Sequence, residues 1–325
     1  MTAMSTGGMQ EIKAAQTDLI SICVCTFRRP ELLQRLLQSL VEQSTEAEFD
    51  FEIVITDNDS NHSAHEVVRK FAEQSPDRVV YDCELEPNIA MARNRCVRNS
   101  NGNFIAFIDD DEYASKDWLL QLYRTLKKFR ADGVQGPVLP DFPARAPTWL
   151  KKSGLCDRRR SLTGTITTLS DARTGNVLFR RDLFQDGELW FDPAFGRTGG
   201  EDGDFFRRQG NRGRKFYWCD EALAHETVPE GRWTLSFYTR KAFRIGTIYA
   251  GLIRRGELPR EWLFSKSVAF IGGLLVAMPL LLLTGKQRWG RAIVKISYSA
   301  GYILGSCGIS VATQKQSEVQ GMVSA

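Results

Sequence analysis

The chain has 325 residues, 42% of them hydrophobic and 25% charged, with a formal net charge of +4. This is enough chain for one large core or two modest ones, its composition is that of an ordinary globular protein, and its charge is too small to make nucleic acid a partner. The seven cysteines form no CxxC pair and are expected as reduced thiols of a reducing compartment; Cys23 and Cys25 are not expected to bridge each other.

Residues 1–18 are polar, lack the apolar core of a secretory signal and are expected to form a disordered tail. Residues 19–26 are apolar and β-branched, a predicted strand. Pro30 suits a first helical turn, and Leu32, Leu33, Leu36, Leu37, Leu40 and Val41 follow at helical spacing. A second strand, 51–56, ends in the acidic turn Asp57-Asn58-Asp59-Ser60, before a weaker helix carrying Val67, Val68 and Phe71. Residues 78–83 read as a strand, 89–99 as a helix, and 103–108 as a fourth strand running into Asp109-Asp110-Asp111. Ser115 is the expected N-cap of a helix bearing Trp118, Leu119, Leu122 and Leu126. This alternation predicts an α/β domain, a mostly parallel sheet flanked by helices. Such sheets bind ligands beyond the carboxyl ends of their strands, and both acidic turns lie there.

Residues 139–172 read as loop and 175–179 as a strand. Gly199-Gly200-Glu201-Asp202-Gly203-Asp204 opens a short helix expected over 205–209, and a strand over 215–219 precedes His225. Next, Arg232, Arg240, Lys241, Arg244, Arg254 and Arg255 interleave with Trp233, Phe237, Tyr238, Phe243 and Tyr249. Two readings stay open for this segment: a ledge over an acceptor beside anionic lipid, or a packed helix with a solvated basic face. Residues 267–285 are uncharged and long enough in principle to span a bilayer; 296–312 form a second, weaker stretch. A crossing would put Lys286, Arg288, Arg291 and Lys295 outside, against the positive-inside rule, so membrane association without a full crossing is expected.

The carboxylates carry the chemistry. On an extended segment Asp109 and Asp111 point the same way and can converge on Mn²⁺ or Mg²⁺, which take oxygen ligands and would neutralise a leaving diphosphate. The competing reading is a solvated turn with an Asp capping the next helix. Glu201, Asp202 and Asp204 offer a base for an attacking hydroxyl, or simply an acidic first turn favoured by the helix dipole; their glycines permit close approach to a ligand. The Asp57 turn is an Asx turn or a partner for a base or ribose. His62 and His65 read as surface residues, and His225 as a candidate third metal ligand.

In order and spacing, Ser21-Ile22-Cys23-Val24-Cys25-Thr26-Phe27-Arg28-Arg29, Ile53-Val54-Ile55-Thr56-Asp57-Asn58-Asp59-Ser60, Pro87-Asn88 with Ala92-Arg93-Asn94, Phe107-Ile108-Asp109-Asp110-Asp111-Glu112 and Gly200-Glu201-Asp202-Gly203-Asp204 resemble the family 2 glycosyltransferases of the GT-A fold, in particular the bacterial exopolysaccharide and succinoglycan-biosynthesis group. The resemblance spans about residues 19–250. It implies an inverting transfer from a nucleotide diphosphate sugar to a hydroxyl of a saccharide acceptor, polyprenyl-linked, in surface polysaccharide synthesis. It places Thr26, Arg28, Asp57, Asn58 and Asp59 in the nucleotide pocket, although the family often has Asp-Asp-Gly-Ser at the last three of these and the residue after them. Arg93, Asp110, Glu201 and Arg232 fall near the donor. Asp109 and Asp111 become the DxD motif, with Asp111 favoured for direct metal contact; Asp202 becomes the base and His225 a further metal ligand. The expected organisation is a tail over 1–18, a GT-A domain over 19–258 and a helical, membrane-associated region over 259–325, at the cytoplasmic face of the inner or plasma membrane. A nucleotidyltransferase is the first rival, but it would want a glycine-rich loop where Cys25-Thr26-Phe27-Arg28-Arg29-Pro30 stands. A dehydrogenase lacks its GxGxxG there. A non-catalytic sugar-nucleotide-binding scaffold is the rival from another class.

Overall fold

The computed structural model describes residues 17–74, 78–168, 171–185, 190–196, 199–256, 265–273 and 285–309. Strand β1 (Asp18–Thr26) buries Ile20, Ile22 and Val24 in one core and Cys23 in another, so it must lie inside a sheet covered on both faces. It pairs in parallel with β2 (Phe49–Asp57), from Asp18↔Phe49 to Thr26↔Asp57. β3 (Val79–Cys83) lies outside β2, and β4 (Phe104–Phe107) lies on the other side of β1, both parallel. Helix α1 (Pro30–Val41) follows β1 with proline in its first turn and buries Leu33, Leu36, Leu37 and Leu40, the stripe expected from their spacing.

The larger sheet has the order β3-β2-β1-β4-β8-β6-β9, with β6 (Gly133–Gln135), β8 (Val177–Arg180) and β9 (Phe216–Trp218). β8 runs antiparallel to both β4 and β6, so the sheet is mostly parallel, as expected. β5 (Glu112–Ala114), β10 (Ala224–Thr227) and β7 (Val138–Asp141) form a second sheet in the order β5-β10-β7 that starts at the Asp109–Asp111 turn. α2 (His65–Ala72) and α4 (Trp118–Phe129) share a core with α1.

The opposite core lies under α3 (Ile89–Asn99) and α6 (Glu201–Asn211) and contains Phe107, Phe179, Phe184, Phe191, Phe205, Phe206 and Phe216. Phe179 meets Phe205 edge-on at 5.4 Å and Phe184 stacks on Phe205 at 5.4 Å. Each such pair contributes about 0.5–1.5 kcal/mol beyond burial. Phe205 and Phe206 thus pin α6, and with it the carboxylates of its first turn.

Several local expectations are corrected. α6 begins at Glu201 rather than 205, because Gly200, at φ 109°, reverses the chain immediately before it. Gly203 faces open space, where an added Cβ would meet no protein atom. Ser115 is not the cap of α4: Asp117 precedes the helix, without a side-chain cap, and the Ser115 carbonyl accepts from the Trp118 amide. The 139–172 segment holds most of β7 and a short helix, α5 (Thr148–Lys151). Cys23 and Cys25, two apart on a strand, share a face; Cys25 Sγ lies 3.8 Å from Cys96 Sγ, and all seven cysteines are free thiols.

Helix α7 (Leu235–Arg254) packs along α8 (Lys286–Ser306), with Gly246 and Gly301 at the crossing, where a Cβ would collide with the opposite backbone. α8 also docks on the domain: Lys286 Nζ lies 4.9 Å over the Trp149 ring, and Arg291 Nε donates to the Ser153 carbonyl. The second uncharged stretch therefore falls mostly within a helix packed on α7. Residues 1–16 of the expected tail, and 274–284 of the first uncharged stretch, lie outside the described residues. No helix of the described residues is long and apolar enough to cross a membrane.

Candidate active site

Parallel register brings the ends of β1 and β2 side by side, and the turn after β4 arrives beside them. Asp57 is fully buried: its Oδ1 accepts from the Asp59 amide at 3.0 Å, and its Oδ2 accepts from the Ala64 amide at 2.8 Å and the Tyr81 hydroxyl at 3.1 Å. Asn58 donates from Nδ2 to the Glu84 and Glu86 carbonyls, at 2.9 and 2.6 Å, and accepts from the Asn88 amide at 2.9 Å. Its amide donors are spent, which corrects the expectation that Asn58 meets a nucleotide; it staples the turn to the start of α3. Asp59 lies 3.3 Å from Arg28 Nε, whose residue adopts φ 55°.

The three aspartates after β4 are not equivalent. Asp110 is buried, accepting from Thr26 Oγ1 at 2.9 Å and Arg29 Nη1 at 3.1 Å. Those bonds tie the turn to β1 and leave Asp110, like Thr26, holding the site's frame. Asp111 Oδ2 lies between Arg29 Nη1 at 3.2 Å and Arg232 Nη2 at 3.5 Å. The Asp109 side chain is 46% exposed, with Arg93 Nη2 at 3.7 Å, so it faces the open cleft. Burial first, then the charges of Asp109 and Glu226, push the Asp111 carboxyl up to about 7. Burial likewise raises Asp110, and burial together with Asp109 raises Glu112 well above the usual range. Glu112 Oε2 accepts from the Asp109 amide at 3.3 Å, and its buried Oε1 has no hydrogen-bond partner.

Among the described residues no three His, Cys, Asp or Glu side chains close on one metal position. Two oxygen donors, Asp109 and Asp111, in a pool of excess negative charge still fit Mg²⁺ or Mn²⁺, which complete their shells with water and phosphate oxygens. His225 is corrected as a ligand. Side chains alternate along a strand, and β10 sends Glu226 toward Arg232 and Arg158 while His225 stacks on Tyr113 at 4.9 Å on the other face. Arg35 covers that ring from 3.8 Å, and burial lowers the imidazole.

The second acidic cluster sorts itself in the same way. Arg93 is buried and pairs with Glu201 as well as reaching Asp109, so one guanidinium joins the two acidic turns. Asp204 is held by Arg207 at 2.6 Å and Arg208 at 2.7 Å. Among the described residues Asp202 accepts only from the Gly203 amide, at 2.8 Å, and pairs with no cation. Burial raises its carboxyl, against the pull of Arg93.

Sequence reasoning passed over Arg29, Glu112, Arg158, Arg173 and Glu226, all of which face this cleft or brace it. Only Glu226 carried a usable signal, as the strand neighbour of His225. Of the two readings left open for 232–255, packing takes up several of the aromatics: Tyr238 is buried with Leu150 and Val228, Trp233 and Phe237 lean on them, and Trp233 Nε1 donates to the Val228 carbonyl at 2.9 Å. Arg232 remains in the site through Asp111 and Glu226.

Residues 21–187 match the family model Glycosyl transferase family 2. The chain is 32% identical over 302 residues to the succinoglycan biosynthesis protein ExoM of Rhizobium meliloti, covering 90% of this chain and 94% of that one. It is 28% identical over 188 residues to a glucosyl-dolichyl phosphate glucuronosyltransferase of Haloferax volcanii, covering 55% of this chain and 58% of the relative. The crystal structure of S. aureus TarS 1-349 in complex with UDP-GlcNAc superposes with a TM-score of 0.52 at 18% identity, covering 90% of this chain and 93% of that one, a likeness of fold.

Proposed function

The chain belongs to the family 2 glycosyltransferases, and we propose that it moves a sugar, with inversion, from a nucleoside diphosphate sugar to a hydroxyl of a lipid-linked saccharide during surface polysaccharide synthesis. The observation that carries this reading is the Asp202 carboxylate, which has no cation partner among the described residues and sits next to the Glu201 that Arg93 joins to Asp109. The names of the relatives, one a succinoglycan biosynthesis protein and one a transferase named for glucosyl-dolichyl phosphate, support the choice of product and acceptor.

In this reading the nucleotide lies by Thr26, Arg28, Asp57 and Asp59, and Asp202 takes the proton of the acceptor hydroxyl as it attacks the anomeric carbon. Burial raises the basicity of Asp202, which suits proton capture. Asp109 and Asp111 would hold Mn²⁺ or Mg²⁺, which would supply charge neutralisation to the leaving diphosphate. Arg29 and Arg232 add fixed positive charge on the same side. Holding donor and acceptor in one cleft removes much of the entropic barrier.

The catalytic domain of this reading covers 19–258, and 259–325 forms a membrane-associated region at the cytoplasmic face of the plasma membrane. Ile245 and Ile248 on α7, and Val268 and Phe270 beyond it, are exposed among Arg240, Arg244 and Lys266, a mixture that suits an interfacial helix.

The deciding experiment screens nucleotide sugars for diphosphate release, with Mn²⁺ and a lipid-linked oligosaccharide present, and reads the product's anomeric configuration by NMR. Inversion and loss of turnover in EDTA are expected. Retention of configuration, or full activity in EDTA, would overturn the mechanism, and no release from any donor would overturn the reaction.

A further inference from the structure

Beside Asp111 lies a cavity of about 160 Å³, walled by Cys156–Arg158, by Arg173 ahead of β8, by Glu226 and Arg232, and by Lys241 on α7. Four cations, Arg158, Arg173, Arg232 and Lys241, face two carboxylates there, Asp157 and Glu226. Arg158 and Arg232 both pair with Glu226, and Arg232 reaches on to Asp111 at 3.5 Å. Arg173 donates from Nε to the Asp171 carbonyl at 3.1 Å, and among the described residues neither it nor Lys241 pairs with a carboxylate. Arg158 also lies 3.9 Å from Glu112, so the two arginines nearest Glu226 have carboxylate partners, and Arg173 and Lys241 are the cavity cations left for a ligand. Burial and then the charge of Arg158 act against the charged form of Arg173, a cost that a bound anion would offset.

We propose that this cavity is an acceptor-side subsite for a phosphate group, adjoining the place of the donor's diphosphate at Arg232 and distinct from it in Arg173 and Lys241; the proposal rests on the transferase reading above. Two features select the acceptor. The donor residues Thr26 and Asp57 end β1 and β2, whereas the cavity walls come from the 155–173 segment, β10 and α7, beyond Asp111. The volume also holds a phosphate or diphosphate but falls short of the roughly 300 Å³ or more of a typical small-molecule site, so a nucleotide does not fit. Arginine forks and a lysine point charge are the usual partners of phosphate oxygens. Arg173 in the cavity wall feels the charge of Asp202, so the two belong to one electrostatic neighbourhood.

The test titrates the full chain with inorganic pyrophosphate in EDTA, which disables metal-dependent donor binding. Binding is expected in the wild type and should weaken about tenfold in Lys241→Ala and in Arg173→Gln, the loss of one charge-assisted contact. Arg240→Ala, an exposed cation one position from Lys241, should leave it unchanged. In turnover with a lipid-diphosphate-linked oligosaccharide, both cavity variants should raise the acceptor KM about tenfold while the donor KM stays put. The proposal is overturned by absence of pyrophosphate binding in EDTA, by an equal effect of Arg240→Ala, by tighter binding of glucuronate than of pyrophosphate, or by a rise in donor KM alone, which would assign the cavity to the donor. Wild-type protein that binds pyrophosphate as described yet releases diphosphate from no nucleotide sugar would instead sink the transferase reading and leave the anion site standing.

Discussion

Asp111→Asn should stabilise the metal-free protein at pH 8 while destroying its metal-dependent function. A rise of this carboxyl from 3.8 to about 7 corresponds to about 4 kcal/mol of extra cost for the charged over the neutral form. In the unfolded chain Asp111 ionises near its ordinary value. Between pH of about 4 and 7 the folded state thus keeps a proton that the unfolded state has lost, and stability falls as pH rises through that window. Asparagine has no such proton and keeps an oxygen for Arg29 and Arg232. The variant should match wild type at and below pH of about 4 and gain progressively above it; relaxation and water entry trim the full figure to about 2 kcal/mol at pH 8. Urea unfolding in EDTA at pH 4 and pH 8 measures this directly. A variant less stable than wild type at pH 8, or offset by the same amount at both pH values, would refute the burial argument. In Mn²⁺ the order should invert, because the cation favours the carboxylate.

Asp202→Asn should lower transfer by about 10²–10⁴-fold, the ordinary worth of a general base, with donor affinity by fluorescence titration essentially retained; parallel loss of both would remove Asp202 from the proton chemistry. Arg93→Met strands Glu201 in the protein interior and should cost about 3–5 kcal/mol in urea unfolding, much of it recovered in the Arg93→Met/Glu201→Leu double variant; an additive double variant would mean that the pair is not the link between the two turns. His225→Ala should leave the Mn²⁺ concentration needed for half-maximal turnover within about twofold of wild type, since a lost metal ligand would cost far more; a shift of tenfold or more would return the histidine to the metal.

Much of the framework was legible because periodicity is a local property. β1 to β4 and α1, α3 and α4 fall within a residue or two of their expected places, since long apolar stripes leave little choice of face. Both acidic turns lie at strand ends for the same reason. What failed has a physical cause in each case. β10 is four residues long, too short for its own pattern to fix which alternate side chain faces the cleft, so the sequence points to His225 where the fold turns Glu226 toward Arg158 and Arg232. Arg158 reaches the site from an Arg-rich loop whose other members, Arg159 and Arg160, pair with Asp171 and Asp220; nothing in three consecutive arginines marks the middle-distance partner of the first. Asn58 looked like a ligand because an amide suits a base, and the same two donors and one acceptor suit three backbone groups equally well.

The two acidic clusters obey one rule that no count of carboxylates contains. In Asp109-Asp110-Asp111 the middle residue is consumed by Thr26 and Arg29, leaving an open Asp109 and an Asp111 flanked by cations on both sides. In Glu201-Asp202-Gly203-Asp204 the outer two are consumed, by Arg93 and by Arg207 with Arg208, leaving Asp202. Repulsion among adjacent carboxylates is thus met by arginines, several of them shared between two carboxylates, and among the described residues of the two clusters Asp202 is the carboxylate with no cation against it. Arg93 then matters beyond its own pair: by touching Asp109 and Glu201 at once it fixes the spacing between the carboxylate proposed for the metal and the one proposed for the proton. That spacing is set by a buried guanidinium on α3, an element that contributes no carboxylate to either cluster, which is why neither acidic motif alone discloses the geometry of the site.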